Sequence, residues 1–328
     1  MGNSIDRRNF IQKTIGISLA IAGTNLLSGC ENYDSKGLPT CILGKTGVKI
    51  PRIAMGLGSR FCTIKDPEES EAILNYALDN GLYYWDTAWI YNNKITGVIS
   101  EERVGQVIKY RRKEVFLSTK VTSRDPKEAM NQIETSLKRL NTDKLDMLKI
   151  HGVASIEDVD TIGAKGGVYE IVSRLKEEGV TRFIGFSGHD DAKAMKTMVE
   201  RYDFDSMLVA MNHYIEYEQQ YNRQDIVIPV ANERGIGIMV MKAVRPREND
   251  KRLNPLDLIR YALSLKDVNG AVIGIDSMDV LNANLDLLHN FRPMTELEMY
   301  QMTANLRPFF NYENIPWMKK GYCDGNWA

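Results

Sequence analysis

The feature of this chain that most restricts its fold is the regular alternation of short apolar runs with longer amphipathic ones. In amphipathic runs such as PEESEAILNYALDNG and PKEAMNQIETSLKRLN, apolar residues recur at intervals of three and four, which is typical of helices buried on one face. The apolar runs are strand candidates and cover residues 53–58, 83–88, 115–121, 147–152, 182–188, 207–214, 237–244 and 271–275. Apolar strands joined by helices indicate parallel pairing that is buried on both faces.

Two parallel architectures fit this pattern, an open doubly wound sheet and a closed β/α barrel. An open sheet that binds dinucleotides carries a glycine-rich fingerprint after its first strand. The first strand here ends MGLGSRF, which holds only the start of such a fingerprint. Eight strand and helix units therefore favour a (β/α)8 TIM barrel. The turn residues in CILGKTGVKIP predict a β-hairpin before the barrel, and a short C-terminal extension follows it.

Composition narrows the class of protein. The chain has 328 residues, of which 43% are hydrophobic and 26% are charged, and its formal net charge is -1. This is the profile of a globular protein with a large core. The near-neutral charge and the lack of a basic patch in the sequence argue against a nucleic-acid partner. The cysteines have no metal-site spacing, so no metal is expected, and the pairing of Cys41, Cys62 and Cys323 stays open.

The first thirty residues differ from the rest of the chain. Arg7 and Arg8 precede an apolar stretch over residues 15–27, and small residues precede Cys30, which is the order of a secretory signal. RRNFIQK resembles a twin-arginine signal and LLSGC a lipobox, whose cysteine is lipidated. The alternatives are an uncleaved amphipathic helix and a chance pair of arginines. We expect a signal peptide (1–29), a tether (30–39) and a barrel domain (40–328), exported and held at a membrane through lipid on Cys30.

Ionisable side chains follow three neighbouring barrel strands. Asp86 closes the second strand and Tyr91 lies in the loop after it, while Lys120 and His151 lie at the ends of the third and fourth. Barrel active sites gather at the C-terminal ends of strands, and adjacent strands are about 4.8 Å apart, so these side chains can converge. Singly, each has an ordinary explanation as packing, surface charge or a cap. Four of them at one rim indicate a site.

In order and spacing, these residues resemble the catalytic tetrad of the aldo-keto reductase superfamily. The resemblance rests on WDTAWIY, STK and KIH, and it extends over about residues 43–288. It implies that Tyr91 gives its proton to a carbonyl oxygen while hydride reaches the carbon, and that Lys120 favours the phenolate. It also implies that Asp86 holds Lys120 in place and that His151 orients the carbonyl group.

The resemblance further implies residues that hold a nicotinamide dinucleotide, NADP or NAD. Ser187 matches the serine that binds the carboxamide in the family, but the asparagine that usually follows it is Gly188 here. The glutamine after the sixth strand is replaced by Met211 or Asn212. The aromatic residue that stacks on the nicotinamide is replaced by Met241, whose thioether packs against a ring less rigidly.

Two more segments match the part of the family that binds the rest of the dinucleotide. Lys242 and Arg245 can meet the pyrophosphate, with ordinary surface charge as the alternative. IGIDSMDVLNANLDLL resembles the second cofactor motif and keeps Gly274 and Asn284. Asp276 stands where members that prefer the phosphorylated dinucleotide often carry arginine. It can accept a hydrogen bond from the ribose 2'-hydroxyl, which hints at NAD, or it can cap the last barrel helix.

Together these features predict an oxidoreductase that transfers hydride between the dinucleotide and a small aldehyde, ketone, sugar or alcohol. One alternative is a barrel that binds the dinucleotide as a sensor or assembly subunit without turnover. The proton donor argues against this alternative, since a sensor needs none. The other is a non-redox isomerase or lyase that acts on a sugar-like substrate with the same tyrosine and lysine as acid and base. A bound dinucleotide would distinguish the proposed enzyme from this second alternative.

The combined substitution Arg7→Lys with Arg8→Lys should leave the protein in the cytoplasm, because the paired arginines define the export signal that the sequence resembles. Immunoblots of cytoplasmic and envelope fractions measure this outcome. A Cys30→Ala chain is the matched control, since it should be exported without carrying lipid. Normal export of the doubly substituted chain would contradict the twin-arginine interpretation.

Overall fold

A computed structural model describes residues 32–189, 191–212, 222–244 and 254–306, and within these ranges eight parallel strands close into a barrel. In chain order the strands are β1 (Thr40–Ile42), β2 (Lys49–Pro51), β3 (Ile53–Gly56), β4 (Tyr84–Asp86), β5 (Asn92–Asn93), β6 (Val98–Ile99), β7 (Phe116–Val121), β8 (Leu145–Val153), β9 (Thr181–Gly188), β10 (Ser206–Ala210), β11 (Gly237–Met241) and β12 (Gly270–Gly274). The barrel runs β3, β4, β7, β8, β9, β10, β11, β12 and back to β3. The predicted (β/α)8 barrel is therefore confirmed.

Helices connect the barrel strands and cover the outside of the barrel. They are α1 (Pro67–Asp79), α2 (Ser100–Arg111), α3 (Pro126–Arg139), α4 (Ile156–Ile162), α5 (Val168–Glu177), α6 (Ala192–Arg201), α7 (Arg223–Ile226), α8 (Ile228–Glu233), α9 (Pro255–Ser264), α10 (Met278–His289) and α11 (Glu296–Leu306), with single 3-10 turns at Gly44–Thr46, Phe61–Thr63 and Arg112–Glu114. Among the described residues, none of the helices is long and apolar enough to cross a membrane.

All eight predicted apolar runs form barrel strands, but two of them end three or more residues earlier than predicted. The run 237–244 gives a strand only to Met241, because Lys242 has a left-handed backbone with φ of 62° and cannot continue a strand. The run 207–214 ends as a strand at Ala210, and its residues from 213 onward lie outside the described ranges. Both early ends fall at the same rim of the barrel, where the chain turns into loops.

Several barrel helices begin at a side chain that accepts a hydrogen bond from their first turn. Asp66 accepts from the backbone N–H of Glu68, and Asp125 accepts from that of Glu128. Each acid is followed by proline at the first helical position, where no backbone donor is needed. Asn254 caps α9 in the same way. These local signals in the sequence determine where each loop ends and the following helix begins.

The hairpin of β1 and β2 packs against the N-terminal ends of β11 and β12. Its turn donates from the backbone N–H of Lys45 to the carbonyl of Gly235, and the thiol of Cys41 lies 2.9 Å from the carbonyl of Asn269. Leu43 in the turn is fully buried. The predicted N-terminal hairpin is thus present, and it covers the end of the barrel opposite the rim that carries the polar strand-end residues.

A buried acid near the start of β8 joins several elements at this lower end. The carboxylate of Asp146 accepts from the backbone N–H of Leu117 at 2.8 Å and from the hydroxyl of Tyr33 at 2.6 Å. It also pairs with Arg182 at 2.7 Å and with Arg112 at 2.8 Å. Tyr33 belongs to the segment predicted as a tether, so this contact holds residues before β1 against the barrel. Asp146 is 1% exposed, so the loss of any one of these partners would lower the free energy of unfolding.

Asp146→Asn should lower the free energy of unfolding by about 3 kcal/mol, because it removes the charge that two arginines and a buried backbone N–H face. Urea denaturation at neutral pH measures the change. Asp143→Asn is the matched control, since Asp143 is exposed on the same connection. Equal stability of the two variants would show that the cluster does not hold the barrel together.

Candidate active site

The predicted tetrad comes together at the C-terminal rim of the barrel. The Nζ of Lys120 lies 2.5 Å from Oδ2 of Asp86 and donates to the carbonyl oxygen of Thr87 at 2.7 Å. The same Nζ lies 3.4 Å from the phenol oxygen of Tyr91. Asp86 and Lys120 are each 1% exposed, so their attraction is little screened by water. A fixed ammonium group therefore lies directly beside a phenol.

The loop after β4 holds Tyr91 in position. Its backbone N–H donates to the carbonyl of Ala88 at 3.0 Å, and its carbonyl accepts from Ser100, the first residue of α2, at 2.9 Å. The ring lies against Gly58, where a methyl group would come within 3.3 Å of it. The ring of His151 stands edge-on to it, with centroids 5.7 Å apart. Ring and imidazole thus meet at the same point of the rim.

Sequence reasoning missed one member of this cluster, Lys149 on β8. Its Nζ lies 2.6 Å from Oδ1 of Asp86, 2.7 Å from Oγ of Ser118 and 3.1 Å from the phenol oxygen of Tyr84. The carboxylate of Asp86 therefore binds two ammonium groups, one on each oxygen. The available signal was a lysine inside an apolar run, two residues before His151 and so on the same face of the strand.

The two lysines decide the charge of Asp86. Burial by itself would raise the pKa of this carboxyl, but Lys120 and Lys149 outweigh burial and lower the pKa to about 2. Asp86 is therefore ionised throughout the physiological range. Burial raises the pKa of Tyr84 well above its ordinary value, with the charge of Asp86 acting in the same direction, so Tyr84 stays a neutral phenol.

A cavity of about 500 Å³ opens beside Tyr91 at this rim, a size suited to a small ligand or part of a cofactor. Four of the predicted cofactor residues line it: Met241, Lys242, Gly274 and Asn284. The Nδ2 atom of Asn284 is buried and has no hydrogen-bond partner among the described residues. A buried donor without a partner at a cavity wall indicates a ligand that supplies an acceptor.

Three of the other predicted cofactor residues, Ser187, Met211 and Asp276, do not line this cavity. Ser187 is fully buried and accepts from the backbone N–H of Gly152 at 3.0 Å. Met211 is buried, and the side chain of Asn212 donates to the carbonyl of Lys242 at 3.0 Å. This bond supports the left-handed turn that ends β11. Arg245 lies outside the described residues.

Gly188 and Met195 explain one departure from the family pattern. A Cβ atom at Gly188 would collide with the sulfur of Met195, which projects from α6. The space that an asparagine would need is therefore filled by a methionine from the neighbouring helix. The substitution at position 188 is accompanied by repacking and leaves no void.

Asp276 is neither a helix cap nor a lone acid. The N-cap of α10 is Ser277, whose Oγ accepts from the backbone N–H of Val280, so the cap alternative is wrong. The carboxylate of Asp276 instead forms an ion pair with Arg60, from the loop after β3. The Arg60 side chain lies across Gly274, where any Cβ would crowd it, and it lines the cavity. The negative charge expected at position 276 is thus paired with a cation.

No group of three or more His, Cys, Asp or Glu side chains that could hold a metal ion occurs within the described ranges. The buried Cys62 lies in a small cluster with Tyr91. Burial raises the pKa of its thiol to about 12, so it stays protonated there. Among the described residues, the charged groups packed beneath Tyr91 are Asp86, Lys120 and Lys149.

The sequence profile of the Aldo/keto reductase family matches residues 52–246, more than half of the chain, and the chain belongs to that family. Among curated proteins it is similar to "Uncharacterized oxidoreductase YrpG" of Bacillus subtilis, with 27% identity over 217 residues, which is 60% of this chain and 64% of that protein. Matches to the curated relatives span from 36% to 64% of their lengths.

Solved structures show the same architecture. The holo form of aldo-keto reductase AKR11C1 from Bacillus halodurans superposes with a TM-score of 0.65 at 24% identity, covering 82% of this chain and 96% of that one. An aldo-keto reductase from Klebsiella pneumoniae in complex with NADPH superposes with a TM-score of 0.62 at 23% identity, covering 82% and 95%. Likeness at this level of identity establishes the barrel fold.

Proposed function

We propose that this protein is a nicotinamide-dependent oxidoreductase that reduces the carbonyl group of a small aldehyde, ketone or sugar, or oxidises the matching alcohol. The main support for the proposal is the position of Lys120, whose Nζ lies 2.5 Å from Asp86 and 3.4 Å from the phenol oxygen of Tyr91. Tyr91 lines the cavity at this rim. Carbonyl reduction needs a proton donor next to the developing alkoxide, and a phenol beside a fixed cation meets that need. Membership of the family supports the same class of reaction.

Each residue has a defined part in this proposal. Tyr91 gives its proton to the carbonyl oxygen, and the phenolate that remains is stabilised by Lys120. Asp86 keeps Lys120 in place and offsets the cost of burying its charge. His151, edge-on to the Tyr91 ring, orients the carbonyl oxygen toward the phenol. In the reverse direction the phenolate accepts the proton of the alcohol.

The residues at the cavity fit a dinucleotide. Asn284 offers a buried donor and Lys242 offers a cation, and both residues line the same cavity. When bound, the nicotinamide would supply or accept the hydride. We assign NADP(H) as the preferred form. The ion pair with Arg60 offsets the repulsion that Asp276 would exert on a 2'-phosphate, and a structural neighbour was solved with NADPH.

The proposal includes export and a lipid anchor. RRNFIQK and LLSGC support a twin-arginine signal with lipidation of Cys30, so the barrel would act at the outer side of a membrane. Residues 1–31 lie outside the described ranges. Export of folded protein allows the dinucleotide to be loaded before transport.

Tyr91→Phe should reduce carbonyl turnover by about a hundredfold or more while leaving dinucleotide affinity nearly unchanged, because only the proton donor is lost. Steady-state rates with a panel of aldehydes, ketones and sugars measure turnover, and quenching of intrinsic fluorescence measures binding. Tyr76→Phe on α1 is the control, since Tyr76 is 40% exposed on a helix that covers the outside of the barrel. Undiminished turnover in the Tyr91 variant would end the assignment. Binding without turnover in the unaltered protein would support the sensor alternative.

Arg60→Ala should weaken NADPH binding about tenfold and NADH binding much less, because the carboxylate of Asp276 would then be unpaired and would repel a 2'-phosphate. Fluorescence titration with both dinucleotides gives the two dissociation constants. Adding Asp276→Asn to the Arg60→Ala chain should recover most of the loss, because it removes the repelling charge. Equal weakening of NADPH and NADH would contradict the proposed basis of cofactor preference.

A further inference from the structure

The buried ammonium group of Lys149 makes no contact with the cavity. Its three hydrogen-bond partners, Asp86, Ser118 and Tyr84, match the three N–H donors of an ammonium group. The side chain is fully buried, and its Cγ is close to Gly185 on β9, where a methyl group would come within 3.3 Å of it. Lys149 is therefore held rigidly beneath the tetrad and cannot reach a substrate.

The charges of this cluster do not balance. Asp86 contributes one negative charge, while Lys120 and Lys149 contribute two positive charges, so the three residues together carry an excess of one positive charge. All three are 1% exposed or less, and an uncompensated charge at such burial is unfavourable. The ionisable phenol of Tyr91 lies 3.4 Å from Lys120 and can compensate it by losing a proton.

The described residues around the cluster add no further negative charge to it. Tyr84 stays a neutral phenol, and the thiol of Cys62 stays protonated because burial raises its pKa to about 12. Glu101 is bound to Thr119, which alternates with the inward-facing residues of β7 and so faces the helices. Within the described ranges, the titratable and charged groups in and around the cluster are, by element, Tyr84 and Asp86 on β4, Tyr91 after it, Cys62 in the loop after β3, Lys120 on β7, Lys149 and His151 on β8, and His189 after β9.

We infer that Lys149 is a positioning residue that sets the protonation state of Tyr91. It occupies one oxygen of Asp86, so the charge of Lys120 is only partly offset and favours the phenolate of Tyr91. The catalytic consequence rests on the proposed function, whereas the titration of Tyr91 does not. Alcohol oxidation needs the phenolate, so it begins at a lower pH than it would without the charge of Lys149. Carbonyl reduction needs the phenol, so it is also lost at a lower pH than it would be without that charge.

The test is Lys149→Met, which keeps the length of the side chain and removes its charge, with Lys149→Gln as a second neutral variant that can still donate to Ser118. Both should raise the midpoint of Tyr91 titration by about one pH unit. The midpoint is read from the pH-dependent tyrosinate absorbance of each chain minus that of the same chain carrying Tyr91→Phe. The pH profiles of oxidation and reduction should move upward by the same amount.

Tyr84→Phe is the matched control, because it removes a hydroxyl partner of Lys149 and leaves all charges in place. Its titration midpoint should stay near that of the unaltered protein. An unchanged midpoint in a folded Lys149 variant, or an equal shift in Tyr84→Phe, would overturn the inference. A shifted tyrosinate titration in a protein without any redox turnover would uphold the role of Lys149 while refuting the proposed function.

Discussion

The carboxylate of Asp86, buried inside the barrel, is the constraint on which the rest of the site depends. A charge in that position is tolerated only with close cations, and these come from the two next strands: Lys120 on β7 at 2.5 Å and Lys149 on β8 at 2.6 Å. Parallel register sets the two lysines directly side by side. The upper interior of the barrel is therefore polar and rigid, and the phenol of Tyr91 is placed against it. The proposed hydride transfer at this rim would depend on the charges of Asp86, Lys120 and Lys149, which the barrel strands hold in fixed positions.

Two departures from the family pattern are each matched by a second residue. Met195 fills the space beside Gly188, and Arg60 pairs with Asp276. Met195 lies on the helix that follows Gly188, whereas Arg60 is separated from Asp276 by 216 positions in the chain. We expect substitutions at the proposed cofactor site to act partly through neighbouring helices and loops, because the side chains around the cavity are closely packed.

Much of this architecture could be predicted from local patterns. Apolar runs gave the eight barrel strands, and pairs such as Asp66 with Pro67 mark helix starts, because both signals act within a few residues. The convergence of Asp86, Lys120 and His151 followed from their positions at strand ends. The end of β11 was placed too late, because the left-handed conformation of Lys242 leaves no mark in an apolar run. Lys149 was missed because only its spacing of two residues from His151, and not the lysine itself, indicates that it faces the barrel interior.

The barrel, the order of its elements and the set of side chains at one rim follow from local patterns of residues, because they depend on periodicity and on position along each strand. The pairing of charges follows from the folded structure. Only the closed barrel brings Lys149 to the second oxygen of Asp86, and only the folded loops bring Arg60 to Asp276. Electrostatic interactions act over a few ångströms in space between residues far apart in the chain, and no local pattern of residues encodes that distance.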